Sequence, residues 1–379
     1  MNLLDYLDLP NNLELSSAKF SEGFLGSSIC KFSGNENISD FQVGIIGLDD
    51  TRNSFPNKVE FNPNKVRSYL YSLVGFSKLS IIDFGNFKRG KTIDDTYFSI
   101  KQVIEFLVTK GVVIILIGGT QEISVPISET LYKNQKHLEL TFVDALIDSI
   151  DESDFHSKSY LLNRIFTKKG RVVKSIFGFQ SYLASQNILT QMKSKGYNLF
   201  RLGSIRNNFQ SIEPILRDTD FLSFDLSSVR QSDSPVSDFK SPNGFYAEEA
   251  CQLTNIGGLS DKIKILNISG IDTKNDESGQ STHLMAQIIW HFILGLSNRT
   301  GEYPIQSLSA YKKIYVSSEK LSHEFIFYKN EKNNRFWVEL PKNNNKEVEV
   351  IACAESDYTA VCNNEIPERI WKRISNAMK

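Results

Sequence analysis

The chain has 379 residues, of which 40% are hydrophobic and 23% charged, a balance typical of a globular protein with a large buried core. Its 43 basic and 44 acidic residues give a formal net charge of -1, which excludes an overall electrostatic attraction to nucleic acid or to an anionic membrane. The sequence contains neither a run of eighteen apolar residues nor a secretory signal pattern, so we expect a cytoplasmic protein without a membrane span.

Residues 1–40 are predicted to form an N-terminal segment, and from Phe41 onward apolar runs alternate with amphipathic segments. Eight runs predict strands: FQVGIIG, LSIIDFG, VVIILIGG, LELTFVD, RVVKSIFGF, YNLFRL, DFLSFDL and IKILNISGI. The runs are continuously apolar, so both faces of the sheet should be covered. The pattern therefore predicts a three-layer α/β/α domain over residues 41–302 with an eight-stranded, mainly parallel sheet, and a closed eight-stranded barrel is the alternative.

One helix is marked at both of its ends, in the segment TIDDTYFSIKQVIEFLVTKG. Thr92 and Asp95 suit a capping box, and Gly111 can end the helix. Its apolar face is predicted to consist of Tyr97, Ile100, Val103, Ile104 and Leu107.

The composition changes after about Tyr303, where we predict a β-rich C-terminal extension over residues 303–379. HEFIFYKNEKNNRFWVELP predicts two strands around a turn at Glu331 to Asn334, and EVEVIACA predicts a third strand. A short terminal helix should follow, and its apolar side should carry Ile370, Trp371 and Ile374.

Polar side chains stand where several predicted strands end. Gln121 follows the glycines of GVVIILIGGTQEIS, Asp144 and Asp148 end LELTFVDALID, and Asp225 with Ser227 ends DFLSFDLSS. In open α/β sheets, ligands bind beyond the carboxyl ends of the strands. We therefore expect these side chains to converge at one edge of the sheet.

The order of these motifs resembles that of the arginase, agmatinase and formimidoylglutamase family, the ureohydrolases. Members carry GGDH after one strand, DAHxD after the next and DxDxxDP near the end of a later strand, followed by a loop that leads to a Glu on a helix. The corresponding stretches here are GGTQ, DALID, DLSSVRQ and SPNGFYAEEA, and the resemblance extends from about Val43 to Leu296. FGFQSYLASQN and HSKSYLLNRIF are most similar to the formimidoylglutamase branch. The resemblance implies an arginase-like fold.

In that family, two manganese ions activate a hydroxide that attacks the planar carbon of a guanidino or formimino group. Six side chains hold the metals. The resemblance assigns three retained carboxylates to this ligand set, namely Asp144, Asp148 and Asp225.

The other three ligand positions are substituted. Gln121 replaces the His of GGDH, Leu146 the His of DAHxD, and Ser227 the second Asp of DxD. A leucine cannot coordinate a metal, and a serine hydroxyl is a poor ligand for a divalent cation. We therefore expect neither a dinuclear manganese centre nor a catalytic residue.

Two alternatives remain for the retained carboxylates. In one, Asp144, Asp148 and Asp225 hold a single Mg, Ca or Mn ion together with the amide oxygen of Gln121. In the other, which we favour, no metal binds and Arg230 neutralises the carboxylates, which would otherwise repel one another.

Two further positions of the family pattern concern the pocket. Asn267 in KILNISG stands where the family has a Glu that contacts the substrate. Glu249 matches the Glu of the helix after the loop, although it can equally cap or brace that helix.

The substitutions predict a catalytically silent ureohydrolase relative with an interaction or regulatory role. We expect a protein partner at the C-terminal extension and no nucleic-acid partner, and a homo-oligomer is compatible with the sequence. The alternative function is that of a weakened, formimidoylglutamase-like hydrolase of a formimino or guanidino C–N bond that uses one metal.

Overall fold

The computed structural model describes residues 1–10, 15, 19–52, 59–135, 137–147, 171–302, 311–318, 323–340 and 349–377. Its strands are β1 Leu7–Asp8, β2 Cys30–Lys31, β3 Val43–Leu48, β4 Ile81–Phe87, β5 Val113–Gly118, β6 His137–Val143, β7 Arg171–Phe179, β8 Asn198–Arg201, β9 Phe221–Asp225, β10 Ile265–Ser269, β11 Lys312–Ser318, β12 His323–Lys329, β13 Phe336–Leu340 and β14 Glu349–Cys353.

The α-helices in the described ranges are α1 Leu25–Ser28, α2 Pro63–Tyr71, α3 Ile93–Thr109, α4 Ser124–Asn134, α5 Gln186–Ser194, α6 Leu202–Asn207, α7 Glu213–Asp218, α8 Ala247–Gly258, α9 Gln280–Ser297, α10 Glu355–Cys362 and α11 Glu368–Ala377. Short 3-10 helices cover Leu3–Asp5, Ile38–Asp40, Gln121–Ile123, Phe209–Ile212 and Leu226–Ser228.

The main sheet has the strand order β1-β4-β3-β5-β10-β9-β6-β7-β8, and β2 also pairs with β4. The eight strands from β4 to β8 in this order are all parallel, and each corresponds to one of the eight predicted runs. The N-terminal segment adds two short strands that the sequence did not reveal, β1 antiparallel and β2 parallel to β4. Within the described residues β8 pairs with β7 alone, so the sheet is open and the barrel alternative is wrong.

Helices cover both faces of this sheet, as the continuous apolar runs predicted. Successive residues of a strand point to opposite faces. Ile115 therefore packs with α2, α8 and α9 on one face, and Ile114 packs with α3, α4 and α5 on the other. The three-layer α/β/α prediction is confirmed.

Helix α3 begins and ends as predicted. The hydroxyl of Thr92 accepts the Asp95 N–H at 3.1 Å, and the Asp95 carboxylate accepts the Thr92 N–H at 2.8 Å. Gly111, with a φ of 77°, follows the last turn in the left-handed conformation that favours glycine. The five predicted apolar residues of the helix are all buried.

The extension forms a separate antiparallel sheet in the order β11-β12-β13-β14. The two strands around the 331–334 turn and the strand after it were predicted, whereas β11 and α10 were not. Ile370 and Ile374 are buried under this sheet, but Trp371 is 46% exposed. The prediction for Trp371 is therefore wrong, because Ile370 and Ile374 stand four residues apart on one face and Trp371 lies off that face.

The extension packs where the parallel strands begin, which we call the amino edge of the main sheet. Arg217 at the end of α7 donates to the Cys353 carbonyl at 2.9 Å, and the Asp218 carboxylate accepts the Ala352 N–H at 3.0 Å. The opposite edge, where the parallel strands end, is the carboxyl edge. None of the helices in the described part of the chain is long and apolar enough to cross a membrane.

Candidate functional site

The turn after β5 brings Gln121 to the carboxyl edge. Gly118 and Gly119 have φ values of 97° and 73°, which residues with a Cβ atom rarely adopt. The chain then enters the 3-10 helix Gln121–Ile123 and continues into α4. The side chain of Gln121 is buried at this bend.

Asp144 immediately follows β6 and is buried. Its Oδ1 accepts the backbone N–H of Leu146 at 2.9 Å, which closes a turn of the kind that Asp and Asn commonly form with the residue two positions on. Leu146 is half-buried in this turn and offers only hydrocarbon. Asp148 lies outside the described residues.

Asp225 ends β9 in a similar way. Its Oδ1 accepts the backbone N–H of Ser227 at 2.7 Å and so caps the 3-10 helix Leu226–Ser228. The Ser227 hydroxyl in turn donates to Asp144 Oδ1 at 3.3 Å. Ser227 thus links the two carboxylates, and all three side chains are buried.

The strand order accounts for this meeting. β5, β10, β9 and β6 are consecutive parallel neighbours, so Gln121, Asp225 and Asp144 all follow strand ends at the carboxyl edge. Neighbouring strands lie about 4.8 Å apart, which separates β5 from β9 by about 10 Å. The structure therefore joins Asp144 to Asp225 through Ser227 and places Gln121 on the far side of β10.

Asn267 lies inside β10, between β5 and β9, with 0% exposure. Its Nδ2 donates to the Gly118 carbonyl at 3.2 Å, which ties β10 to the glycine turn. Its Oδ1 and the Ser269 hydroxyl are buried without a hydrogen-bond partner in the described residues. Buried polar atoms rarely lack a hydrogen-bond partner. The Asn267 and Ser269 oxygens therefore mark a polar region beneath the carboxyl edge.

Glu249 caps and braces α8, which is the second of the two roles considered for it. Its Oε2 accepts the Tyr246 N–H at 2.8 Å, just before the helix begins. Arg206 binds the same carboxylate, with its Nε 2.9 Å from Oε1 and its Nη2 3.0 Å from Oε2.

Arg230 is engaged away from Asp144 and Asp225. Its Nε lies 2.9 Å from Asp233 Oδ1, and its guanidinium lies over the Tyr246 ring, 4.3 Å from the centroid. The adjacent Asp233 carboxylate raises the pKa of Arg230, so the guanidinium is charged in this ion pair. These contacts give no support to a pocket neutralised by Arg230.

Asp50 is a residue of the carboxyl edge that the sequence interpretation missed. It follows β3, is buried, and accepts hydrogen bonds from Arg52 Nε at 2.9 Å, Arg52 Nη2 at 2.6 Å and the Thr96 hydroxyl at 2.9 Å. Burial acts to raise the pKa of Asp50, but these hydrogen bonds lower it overall. The sequence did contain an indication of Asp50, because the apolar run in GIIGLDD also ends in two carboxylates.

At the positions singled out from the sequence, the described donors are oxygen atoms: the Asp144 and Asp225 carboxylates, the Gln121 amide oxygen and the Ser227 hydroxyl. No group of three or more His, Cys, Asp or Glu that could hold a metal ion occurs among the residues whose placement is described. Such oxygen donors suit a hard cation better than an ion that prefers imidazole.

An open parallel sheet covered on both faces, with carboxylates beyond its carboxyl edge, defines an α/β protein of the type that binds ligands at strand ends. The family model described as "Arginase family" matches residues 41–295. The chain therefore belongs to the arginase family.

Solved structures with the same fold include the formiminoglutamase of Trypanosoma cruzi with Mn2+, at a TM-score of 0.63 and 19% identity, covering 71% of this chain and 97% of that one. The formimidoylglutamase of Bacillus subtilis matches with a TM-score of 0.62 and 18% identity, covering 70% and 92%. Proclavaminate amidino hydrolase of Streptomyces clavuligerus matches with a TM-score of 0.56 and 14% identity, covering 68% and 92%. No curated protein matches the sequence. At these identities the likeness shows a shared fold.

Proposed function

We propose that this arginase-family protein is catalytically silent and acts as an interaction or regulatory protein. The hydrogen bond from the Ser227 hydroxyl to Asp144 Oδ1 carries the proposal. Through this bond the Asp144 carboxylate, a possible metal ligand, has a neutral partner within the protein. That partner, Ser227, is itself one of the substituted ligand positions.

The local roles of the carboxylates support the same proposal. Asp144 and Asp225 each accept the N–H of the residue two positions on, so both have a structural role without a metal. Leu146 and Ser227 supply neither an imidazole nor a carboxylate for a second ion. A dinuclear manganese centre does not fit this donor set.

The C-terminal extension is the proposed partner-binding element. Tyr315 on β11 is 58% exposed and Trp371 on α11 is 46% exposed. Aromatic residues are enriched in protein–protein interfaces and among the residues that contribute most of the binding energy. A protein partner of the extension fits these two exposed rings.

An activity assay tests catalytic silence. With added manganese, release of urea, formamide or ammonia from arginine, agmatine or formimidoylglutamate should be undetectable. Turnover of about 1 per second or faster, which lies in the usual range for enzymes, would overturn the proposal.

A second experiment separates missing ligands from a changed scaffold. The triple variant Gln121→His, Leu146→His and Ser227→Asp restores the family's ligand types at the three substituted positions. The matched control Gln121→Asn, Leu146→Phe and Ser227→Asn changes the same positions without adding an imidazole or a carboxylate. If only the first variant gains manganese binding, the three substituted ligands account for the lack of catalytic activity.

The second candidate function is a single-metal hydrolase that acts on a formimino or guanidino C–N bond. It is favoured by the position of Asp144, Asp225 and the Gln121 amide at one edge, since these are oxygen ligands for a single Mg, Ca or Mn ion. Such an enzyme would lose both its metal and its activity in Asp144→Asn.

A further inference from the structure

The amino ends of two strands are held by arginines of the extension. Arg373 of α11 forms an ion pair with Glu139 of β6, and both side chains are 10% exposed. Arg373 Nη1 also lies 3.4 Å from Glu349 Oε1 of β14. The charge of Arg373 is thereby shared between the extension and β6.

The second contact involves Asp218, which ends α7 just before β9. Its carboxylate is 1% exposed and lies 2.5 Å from Arg369 Nη2 of α11 and 3.1 Å from Lys262 Nζ. Burial acts to raise the pKa of Asp218, but Lys262, Arg369 and Arg373 lower it overall. A buried carboxylate with these partners is ionised and holds the arginine firmly.

A residue of the main domain, Arg217, also contacts strands β13 and β14 of the extension. Arg217 donates to the carbonyls of Phe336 at 3.2 Å and Cys353 at 2.9 Å. Its guanidinium lies 4.6 Å from the centroid of the Trp337 ring. We use the name clasp for three sets of contacts: those of Arg217 with β13 and β14, the ion pair of Asp218 with Arg369, and the ion pair of Glu139 with Arg373.

The strands held by the clasp are the two that end in the linked carboxylates. β6 runs from the Glu139 region to Asp144, and β9 runs from the Asp218 region to Asp225. The two strands are neighbours, and their register is fixed near the clasp, where the Glu139 N–H donates to Asp220 Oδ2 at 2.9 Å and the Asp220 N–H donates to the Glu139 carbonyl at 2.9 Å.

We propose that the clasp fixes β6 against β9 and thereby sets the separation of Asp144 from Asp225 at the opposite edge. The extension is then a conformational control element for the carboxyl edge. A partner that draws Arg369 and Arg373 away loosens the pairing of the two strands and weakens the Ser227–Asp144 hydrogen bond. The effect does not depend on whether the carboxyl edge is catalytic.

Hydrogen exchange of the full chain tests this connection. In Arg373→Ala, peptides that contain the Leu146 and Ser227 amides should exchange about tenfold faster or more, because local opening governs exchange. Both amides donate to the linked carboxylates, so they report on the carboxyl edge itself.

Arg335→Ala is the matched control. Arg335 is another arginine of the extension, and it pairs with Glu213 at 3.2 Å and Glu302 at 2.8 Å rather than with β6 or β9. The Leu146 and Ser227 amides should exchange at the wild-type rate in this variant. Equal acceleration in both variants, or acceleration in Arg373→Ala that is confined to residues 349–377, would overturn the proposal.

Two milder variants keep the proposal testable if Arg373→Ala does not fold. Arg373→Lys keeps the charge but loses the planar guanidinium, and Glu139→Gln replaces a carboxyl oxygen of the β6 side chain by an NH2 group that cannot accept from Arg373. Each should accelerate exchange at the Leu146 and Ser227 amides more than Arg335→Ala does. Wild-type rates at both amides in these two folded variants would contradict a connection through β6 and β9.

Discussion

The buried carboxylates Asp218 and Glu139 at the amino edge of the main sheet have different kinds of partner from Asp144 and Asp225 at the carboxyl edge. At the amino edge, Asp218 and Glu139 are paired with arginines and a lysine from other elements. At the carboxyl edge, Asp144 and Asp225 cap their own turns, and two polar oxygens of β10 are buried without a described partner. The ion pairs of Asp218 and Glu139 with α11 therefore join the main domain to the extension.

The carboxylates at the two edges differ in the elements that they connect. Asp144 and Asp225 accept hydrogen bonds within their own turns, whereas Asp218 and Glu139 pair with arginines of the extension. Single substitutions at the two edges should therefore differ in how much they lower the free energy of unfolding.

Asp218→Ala should have the largest effect on stability. It leaves Arg369 and Lys262 without their buried carboxylate and the Ala352 N–H without its acceptor. Removal of one partner from a buried ion pair costs about 3 to 5 kcal/mol. Urea denaturation of Asp218→Ala measures the loss, and Lys274→Ala, which breaks an exposed pair with Glu60, should leave stability unchanged.

Glu139 should make stability depend on pH. Burial raises the pKa of Glu139 from its ordinary value of 4.5 to about 7, although Arg373 opposes the shift. The folded state then binds a proton more tightly than the unfolded state, so the contribution is full below pH 4.5 and is lost as the pH rises to about 7.

Denaturation of wild type and Glu139→Gln across this pH range measures the effect. The free energy of unfolding of wild type relative to Glu139→Gln should fall from pH 4.5 to about 7 and stay constant above. A difference that rises with pH would mean that ion pairing outweighs burial at this position.

Substitution of Asp225 should have a smaller effect. Asp225→Ala leaves the buried Ser227 N–H without its acceptor, which costs about 1 to 3 kcal/mol. Asp225→Asn keeps an acceptor oxygen and should cost less. Thermal denaturation with and without manganese measures the stabilities of Asp225→Ala and Asp225→Asn. A loss of stability in Asp225→Asn that occurs only with manganese would show that Asp225 is a metal ligand.

Arg230→Ala should have the smallest effect. The side chain is 37% exposed and pairs with Asp233, its neighbour three residues on, so stability should stay within measurement error of wild type. Metal binding should also be unchanged. A marked gain of metal binding in this variant would restore the hypothesis of a neutralising arginine.

The sequence predicted local features well because their causes are local. The capping box of α3 joins residues three apart, and the eight strands are continuous apolar runs. The order of the strands could not be predicted in the same way, because β10 is placed between β5 and β9 by packing of the whole domain.

The candidate site was predicted in position but not in its contacts. The motifs identified Asp144, Asp225 and Ser227, yet the hydrogen bond between Ser227 and Asp144 joins residues 83 positions apart. The clasp was missed for the same reason, because Glu139 and Arg373 are 234 positions apart. Arg230, which the sequence interpretation set against Asp144, Asp148 and Asp225, lies beside Asp233 in the structure.

Manganese titration of the purified protein, with bound metal counted per chain, tests the central claim most directly. The substituted ligands predict at most one equivalent, bound no more tightly than magnesium or calcium would be at an oxygen-only site. Two equivalents bound tightly to the wild-type chain would contradict the claim that the exchange of imidazole and carboxylate for Gln121, Leu146 and Ser227 abolished the dinuclear centre.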